Sequence, residues 1–238
     1  MEKKVKLMSI GKTTILTMML VMIVASTAYL KFASNAVNTL NLVTDGKTVV
    51  IDPGHGGYDP GKVGLSGIYE KDINLSIAHI LREYLEKSGA TVVMTRDEDE
   101  DLDGIEGKFS KKGDMNTRKE IINDSDADLI VSIHQNAFTQ SNIRGAQVFY
   151  YNDESPGKLL AQLVQKNIKE IVDNNNTRQV KPSEHYYILR TTDMPSIIIE
   201  CGFLTHVEEE KLLMSREYQD KLAFAIYKGI VEYFQQIL

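Results

Sequence analysis

The chain has 238 residues, of which 42% are hydrophobic and 25% are charged, and its formal net charge is -6. This length allows one domain that buries most of its apolar surface. Residues 1–31 contain five lysines and one glutamate, a net charge of +4, so the rest of the chain accounts for -10. That acidic balance argues against nucleic acid as a partner, because nucleic-acid binding needs a basic surface. The single cysteine, Cys201, excludes an internal disulfide framework.

The N-terminal residues 1–31 have the pattern of a targeting segment. A basic cluster precedes an uncharged run of 18 residues from Thr13 to Leu30, and Lys31 follows it. Such a run spans ~27 Å as a helix, close to the ~30 Å hydrocarbon core of a bilayer. The pattern predicts a cleaved signal peptide or a retained membrane anchor, and we favour the anchor because the run is long for a signal core. Either one places the body of the protein outside the cytoplasm. We assign residues 32–47 to a linker and residues 48–238 to the folded domain.

Strand and helix patterns alternate along residues 48–238. Short β-branched apolar runs predict strands, and apolar positions at helical spacing predict helices. Asp72 is expected to cap the first helix and Gly89 to end it. The alternation predicts a single α/β domain with a largely parallel sheet flanked by helices. The predicted strands are 48–52, 90–95, 129–133, 146–151, 186–189 and 196–200, and the predicted helices are 72–89, 116–123, 155–173, 207–214 and 217–236.

The glycine-rich segment after the first strand fails both common nucleotide motifs. Residues 54–59 contain Gly-x-Gly, but Asp59 stands where a dinucleotide fingerprint has its third glycine. Lys62 is followed by Val63 rather than by Ser or Thr, so the phosphate-binding loop is also absent. Glycines on both sides of His55 allow a tight turn that leaves its imidazole open to a crevice.

Two histidines come at or just after the ends of predicted buried strands, His55 after the first and His134 after the third. In open α/β sheets, side chains beyond the carboxyl ends of strands converge on one crevice. Glu70 follows a loop and precedes a helix, so it can swing into the same space. Two imidazoles and one carboxylate, with a fourth position left to water, are typical of a catalytic zinc site.

Glu200 ends the apolar run 196–199. An ionised carboxylate is costly there unless it has a partner. We predict that Glu200 lies beside the metal site as the general base, taking a proton from water and passing it to the leaving amine. A salt bridge to Arg190 or Arg118 is the alternative explanation.

The remaining candidate groups are more simply structural. His79 and His206 fit packing, capping or surface positions, and His185 either lines the cleft or is structural. Cys201 has no cysteine partner and fits a small buried residue. The acidic and glycine-rich residues 97–114 lack the ligand order of a calcium loop and are expected to form a solvated insertion.

Taken together, the motifs resemble the Amidase_3 family, the zinc-dependent N-acetylmuramoyl-L-alanine amidases of bacterial cell-wall metabolism. The resemblance covers nearly all of residues 48–238, and its specificity lies in the order of the motifs. They are Val-Val-Ile-Asp-Pro-Gly-His-Gly-Gly at 49–57, Glu-Lys at 70–71, Thr-Arg at 95–96, the segment 127–137 with Ser-Ile-His-Gln-Asn, and Ile-Glu-Cys-Gly-Phe-Leu at 199–204.

The resemblance implies a six-stranded mixed sheet, zinc bound by His55, Glu70 and His134, and Glu200 as the catalytic acid/base. The implied substrate is peptidoglycan, cut at the amide between the lactyl group of muramic acid and the L-alanine of the stem peptide. Arg190 and Asn136 are expected to contact the substrate, and Arg190 could instead pair with a surface acid. Gln135 replaces the alanine often found before the asparagine.

A bare catalytic domain behind an N-terminal anchor is most similar to the spore-cortex amidases of endospore formers (the CwlD type). This similarity implies a role in forming muramic lactam outside the cytoplasm, with the space between the forespore membranes as one candidate location. Family members are often switched on by partner proteins, so an activator is a further expectation. Two other functions stay open: a zinc peptidase that cuts within the stem peptide, and a catalytically inactive wall-binding protein.

Overall fold

A computed structural model describes residues 11, 17–29, 31, 43–103 and 109–237. The chain divides into two units, Met1–Asn41 and Leu42–Leu238. In the first unit, residues 17–29 are helical. No helix among the described residues combines the length and apolarity required to cross a bilayer. Much of the predicted anchor and most of the predicted linker lie outside the described residues.

The second unit contains a six-stranded sheet with the order β2-β1-β3-β6-β4-β5. Neighbouring strands are parallel except β4 and β6, which are antiparallel. The predicted fold, a six-stranded mixed and mostly parallel sheet, is therefore confirmed. The strands are β1 (Thr48–Pro53), β2 (Thr91–Met94), β3 (Leu129–Asn136), β4 (Gln147–Tyr150), β5 (Lys181–Pro182) and β6 (Ser196–Phe203).

Helices cover this sheet on both faces, as expected for strands buried along their length. Val50 and Ile130 of the sheet pack against Ile122 of α2 and Ile188 of α4. The long helix α6 packs against α1 and α3. The helices are α1 (Glu70–Lys87), α2 (Lys111–Asn123), α3 (Gly157–Ile171), α4 (Tyr187–Thr191), α5 (Val207–Leu213) and α6 (Arg216–Ile237).

Two local predictions are wrong. The predicted strand 186–189 is instead the short helix α4, and the sixth strand is β5, which carries a proline at the sheet edge. The first helix begins at Glu70 rather than after Asp72, and no side chain caps it. Asp72 lies in its first turn, where a carboxylate favours the positive end of the helix dipole.

Residues 43–47, which the sequence pattern assigned to the linker, pack against the domain. The Thr44 hydroxyl is buried and donates to the Ser88 carbonyl oxygen at 2.6 Å. The Thr91 amide donates to the Lys47 carbonyl oxygen at 2.8 Å.

The register of the central strands brings polar side chains to one place. Asp52 pairs with Ser132, Ser132 pairs with Ile198, and His134 pairs with Glu200. Because side chains two residues apart share a face, these five residues lie on one face near the carboxyl ends of β1 and β3. That face is the one covered by α2 and α4.

Candidate active site

His55, Glu70 and His134 meet at this edge of the sheet and are called here the His–Glu–His cluster. Glu70 Oε1 lies 3.0 Å from His134 Nδ1 and 3.3 Å from His55 Nε2. One nitrogen from each histidine and one oxygen from Glu70 all lie within 4.8 Å of one another. The two imidazole rings meet edge to face at an interplanar angle of 79°. The three side chains therefore point their donor atoms at one small volume.

The turn after β1 fixes His55. Its backbone adopts φ 64°, a left-handed conformation that is strained for a residue with a side chain. The Arg118 guanidinium donates to its carbonyl oxygen at 2.6 Å, and Asp59 Oδ2 lies 2.8 Å from His55 Nδ1. Burial lowers the pKa of His55, but its hydrogen bonds with Asp59 and Glu70 outweigh burial and raise the pKa to about 9.

Glu70 is the first residue of α1 and is buried, with 1% of its surface exposed. The backbone amides of Lys62 and Gln135 donate to its two oxygens at 2.7 and 2.9 Å. Burial alone would raise the pKa of Glu70, but His134 and His55 outweigh it and hold the pKa well below its usual range. The prediction that Glu70 precedes the helix and can swing is wrong, because it begins the helix and backbone donors hold it.

His134 occupies the end of β3, where the pairing with β6 is interrupted by a register shift. Its ring lies directly against the backbone of Gly54. A Cβ at position 54 would collide with that ring, so only glycine fits there.

Glu200 lies beside His134 on the adjacent strand and is 7% exposed. The Tyr186 hydroxyl donates to Glu200 Oε1 at 3.0 Å, whereas the buried Oε2 has no hydrogen-bond partner among the residues that the structure describes. Burial raises the pKa of Glu200. It also raises the pKa of Tyr186, with the charge of Glu200 adding to the effect. Within the described residues, Arg118 pairs with Asp52 and Asp114, and neither it nor Arg190 forms an ion pair with Glu200, so the salt-bridge alternative is wrong.

Two buried arginines support the turn that carries His55, and sequence reasoning did not assign them this role. Arg118 pairs with Asp52 at 2.6 Å and with Asp114 at 2.8 Å. Arg96 donates to the carbonyl oxygens of Pro53 and Gly54 at 3.0 and 3.1 Å. These contacts fix the end of β1 and the start of the turn that follows it. Arg96 belongs to the Thr-Arg motif at 95–96, whereas nothing in the sequence pattern around Arg118 indicates its buried acidic partners.

The acidic residues after β2 also hold this turn. Asp99 accepts from the Gly57 amide at 2.8 Å and pairs with Lys71 at 2.7 Å. Asp101 accepts from the Tyr58 amide at 2.8 Å. Residues 97–100 are exposed, as expected for a solvated insertion, but Asp99 and Asp101 also fix the turn that carries His55. Residues 104–108 lie outside the described part of the chain.

A cavity of about 370 Å³, called here the central cavity, opens over the cluster and Glu200. Neither of the two predicted substrate contacts lines it. Arg190 is exposed and lies over the Tyr187 ring at 5.5 Å, and Asn136 turns its side-chain oxygen to the Ala137 amide. His185 does line the cavity. Its other lining residues include Asp59, Lys62, Lys111, Met115, Tyr186 and Tyr187.

The remaining candidate groups have structural positions. His206 caps α5, its Nδ1 accepting from the Glu209 amide at 3.2 Å. His79 is half-buried and pairs with Asp97. Cys201 is fully buried, and burial raises the pKa of its thiol, which leaves it unreactive.

Comparison with known proteins decides the family. Residues 49–232 match the family described as N-acetylmuramoyl-L-alanine amidase, Amidase_3. The chain belongs to this family. A germination-specific N-acetylmuramoyl-L-alanine amidase of Bacillus subtilis (strain 168) is 40% identical over 199 residues, which are 82% of this chain and 83% of the relative.

Solved structures of amidases share the fold. The CwlD amidase of Clostridioides difficile, solved in complex with the GerS lipoprotein, is 44% identical with a TM-score of 0.77. The match covers 80% of this chain and 100% of that one. The amidase AmiC2 of Nostoc punctiforme is 38% identical with a TM-score of 0.70, covering 80% and 99%. These relatives support the resemblance to the CwlD type. The chain is thus an amidase that hydrolyses peptidoglycan.

The cluster fits a zinc ion by its donor chemistry and spacing. Ligand atoms of a tetrahedral zinc ion, each about 2.0–2.1 Å from the metal, lie about 3.3 Å apart. The contacts of Glu70 Oε1 with the two histidine nitrogens, 3.0 and 3.3 Å, are close to that spacing. The Asp59 carboxylate orients the His55 ring from its other nitrogen, as carboxylates commonly do for metal-binding histidines.

Proposed function

We propose that this amidase is zinc-dependent and cleaves the amide between the lactyl group of muramic acid and the L-alanine of the stem peptide. His55, Glu70 and His134 are the proposed ligands, and Glu200 is the proposed catalytic acid/base. The observation that carries the proposal is the position of Glu200. Glu200, which carries an unpartnered buried oxygen, lines the same cavity as the His–Glu–His cluster.

When bound, zinc polarises the substrate carbonyl and acidifies the attacking water. The protein's own part is proton transfer. Glu200 takes a proton from the water that adds to the lactyl carbonyl carbon, and it passes that proton to the alanine nitrogen as the C–N bond breaks. The products are a lactyl carboxylate and a peptide with a free amino terminus.

The surroundings of Glu200 suit this exchange. Burial raises its pKa, so the carboxylate holds a proton more readily than an exposed glutamate does. Tyr186 fixes one oxygen and leaves the other free to face the substrate. One oxygen of Glu200 therefore holds the carboxylate in position, and the other can take up a proton.

The decisive experiment is Glu200→Gln, assayed for both bound zinc and muropeptide release. The variant should keep one zinc per chain and lose activity by at least about 100-fold, the lower range for a removed acid/base. Glu208→Gln removes an exposed carboxylate of α5 that pairs only with Lys211, and it should behave as wild type. Loss of zinc together with activity in Glu200→Gln would contradict the assigned role.

Mass spectrometry of digested peptidoglycan separates the other two functions. Free L-alanine amino termini should appear with the wild-type protein. New termini within the stem peptide would show a peptidase, and the absence of any new terminus would show an inactive wall-binding protein.

The biological setting we propose is the spore cortex, outside the cytoplasm, with membrane attachment or secretion through residues 1–31. The support is the similarity to a relative named germination-specific and to the CwlD amidase. Spores that lack this protein should lack muramic lactam, and spores that carry Glu200→Gln should lack it too. Normal lactam content in either would contradict this setting.

We also propose an activator protein, on the ground that the similar CwlD amidase was solved with a lipoprotein. The buried position of Glu70 implies that such a partner acts on the turns around the cluster rather than by ordering Glu70 itself. Zinc affinity should rise when the partner binds, and equal affinity with and without candidate partners would dismiss the idea.

Arg190 and Asn136 stay proposed substrate contacts. Arg190 lies beside Tyr187, which lines the central cavity. Arg190→Ala should raise KM with kcat unchanged if the guanidinium binds a substrate carboxylate. Unchanged kinetics would dismiss this contact.

A further inference from the structure

A second cavity adjoins the central cavity on the side of α2. Its volume is about 320 Å³, and its lining is Lys111, Lys112, Met115, Asn116 and Tyr187. Lys111, Met115 and Tyr187 line both cavities, so the cleft continues past the cluster. We call this extension the side cavity.

The side cavity combines an apolar floor with cationic walls. Met115 and the Tyr187 ring supply the floor, and the Tyr187 hydroxyl donates to Asn116 Oδ1 at 3.2 Å, which fixes the ring. Lys111 and Lys112 are exposed, as is Lys62, which lines the central cavity. Among residues 43–103 and 109–237, no ion pair is found for any of these three lysines.

Among the acids that line the central cavity with Lys62 and Lys111, all except Glu200 already have a cationic or histidine partner. Asp52 and Asp114 pair with Arg118, Asp59 contacts His55, and Glu70 belongs to the His–Glu–His cluster. The three lysines therefore give the cleft a positive charge, although the domain as a whole is acidic. A partly enclosed site with unpaired ammonium groups favours carboxylate ligands.

We propose that the side cavity binds the stem peptide, whose free carboxylates are recognised by Lys111 and Lys112 there and by Lys62 in the adjoining central cavity. The inference rests on the proposed function, since the amide cleaved over the cluster must be followed by the rest of the peptide. The extension from the cluster towards α2 provides a path for that peptide. Met115 and Tyr187 accommodate its aliphatic parts.

The test uses the full, zinc-loaded chain and two forms of soluble peptidoglycan fragments. One form keeps the free carboxylates of the stem peptides, and in the other these are converted to primary amides. The variants are Lys62→Met, Lys111→Met and Lys112→Met, which preserve side-chain length. Lys119→Met, on the same helix but outside both cavities, is the matched control.

On the carboxylate fragments, each of the three variants should lose about five-fold in kcat/KM, mainly through KM, the upper range for an exposed charge pair. Wild type should lose at least the same factor on the amidated fragments, because amidation removes every carboxylate at once, and on these fragments each variant should differ little from wild type. Lys119→Met should match wild type on both.

Variants that equal wild type on the carboxylate fragments would overturn the inference, as would equal losses on both substrates. Failure of the proposed function is a separate result, because wild type would then release no free L-alanine amino termini from either fragment. Zinc content, measured alongside, should be the same in all variants.

Discussion

The two halves of the active site differ in how their polar atoms are held. In the His–Glu–His cluster, Glu70 accepts two backbone amides and Asp59 supports His55. Across the cavity, Glu200 has one partner, Tyr186, and one buried oxygen with none. The first half is built to keep donor atoms in place, whereas the second keeps an atom free to exchange a proton.

This difference has an energetic meaning. A buried polar atom without a hydrogen bond costs about 1–3 kcal/mol, and such atoms in native proteins call for an explanation. At Glu200 the explanation is function, because this carboxylate lines the same cavity as the cluster. By contrast, the buried acids Asp52 and Asp114 are both paired with Arg118. Removing parts of each half should therefore have different consequences.

The largest effect is expected from Arg118→Met. The change leaves Asp52 and Asp114 buried without their cation, which should lower the free energy of unfolding by about 3–5 kcal/mol. Urea unfolding followed by circular dichroism measures it. Lys119→Met, one residue along α2, should stay within about 0.5 kcal/mol of wild type. A small effect of Arg118→Met would mean that this network does not support the turn.

The same network should make stability depend on pH. Burial raises the pKa of Asp52, but the charge of Arg118 and hydrogen bonds from Ser132 and Thr95 outweigh it and lower the pKa to about 2. A depressed pKa in the folded state contributes stability above the unfolded value of about 3.9, here roughly 2 kcal/mol, which is lost as pH falls towards the folded value.

Urea unfolding of wild type and Asp52→Asn across this range tests the sign. Wild type should be the more stable near neutral pH, and the difference should shrink as pH drops below about 4. A difference that grows under acid would contradict the assigned ion pair.

Asp59→Asn should have a smaller effect, limited to zinc binding by the His–Glu–His cluster. Asp59 orients the His55 ring, and removing such a support typically lowers metal affinity about 10–100-fold. Competition with a zinc chelator measures this affinity. Asp72→Asn, an exposed acid in the first turn of α1, should bind zinc as wild type does. Equal zinc affinity in Asp59→Asn would show that the contact does not orient the ring.

Tyr186→Phe should have the smallest effect, limited to the proton transfer by Glu200. Without the donor to Glu200, kcat should fall about ten-fold, the value of one hydrogen bond to a charged group. Because that hydrogen bond favours the ionised form, its loss should raise the pKa of Glu200 and move the acid limb of the rate profile to higher pH. Zinc affinity should not change.

Tyr84→Phe is the control, since the Tyr84 hydroxyl contacts Asp220 on α6. An unshifted acid limb in Tyr186→Phe would show that another group controls the profile.

Much of this site could be predicted because it follows strands with strong signals. The apolar runs of β1, β3 and β6 are buried on both faces, and parallel neighbours end at one edge. That rule is sufficient to bring His55, His134 and Glu200 together. Their chemical roles stay predictions until zinc and activity are measured.

Other parts depend on contacts that one-dimensional patterns do not contain. Residues 186–189 are of types that favour strands. The segment is nevertheless helical from Tyr187, and Ile188 of this helix packs against Val50 and Ile130. The two-residue strand β5 has no apolar signal at all. Arg118 reads as a surface residue in its helix, and only the fold shows that buried acids surround it.

Crystals grown with zinc and measured at its absorption edge would show directly which residues bind the metal. We expect one anomalous peak bound by His55, Glu70 and His134 at about 2.0–2.2 Å, with Glu200 beside it but not bound. A peak ligated by other residues, or by Glu200 in place of Glu70, would contradict this expectation.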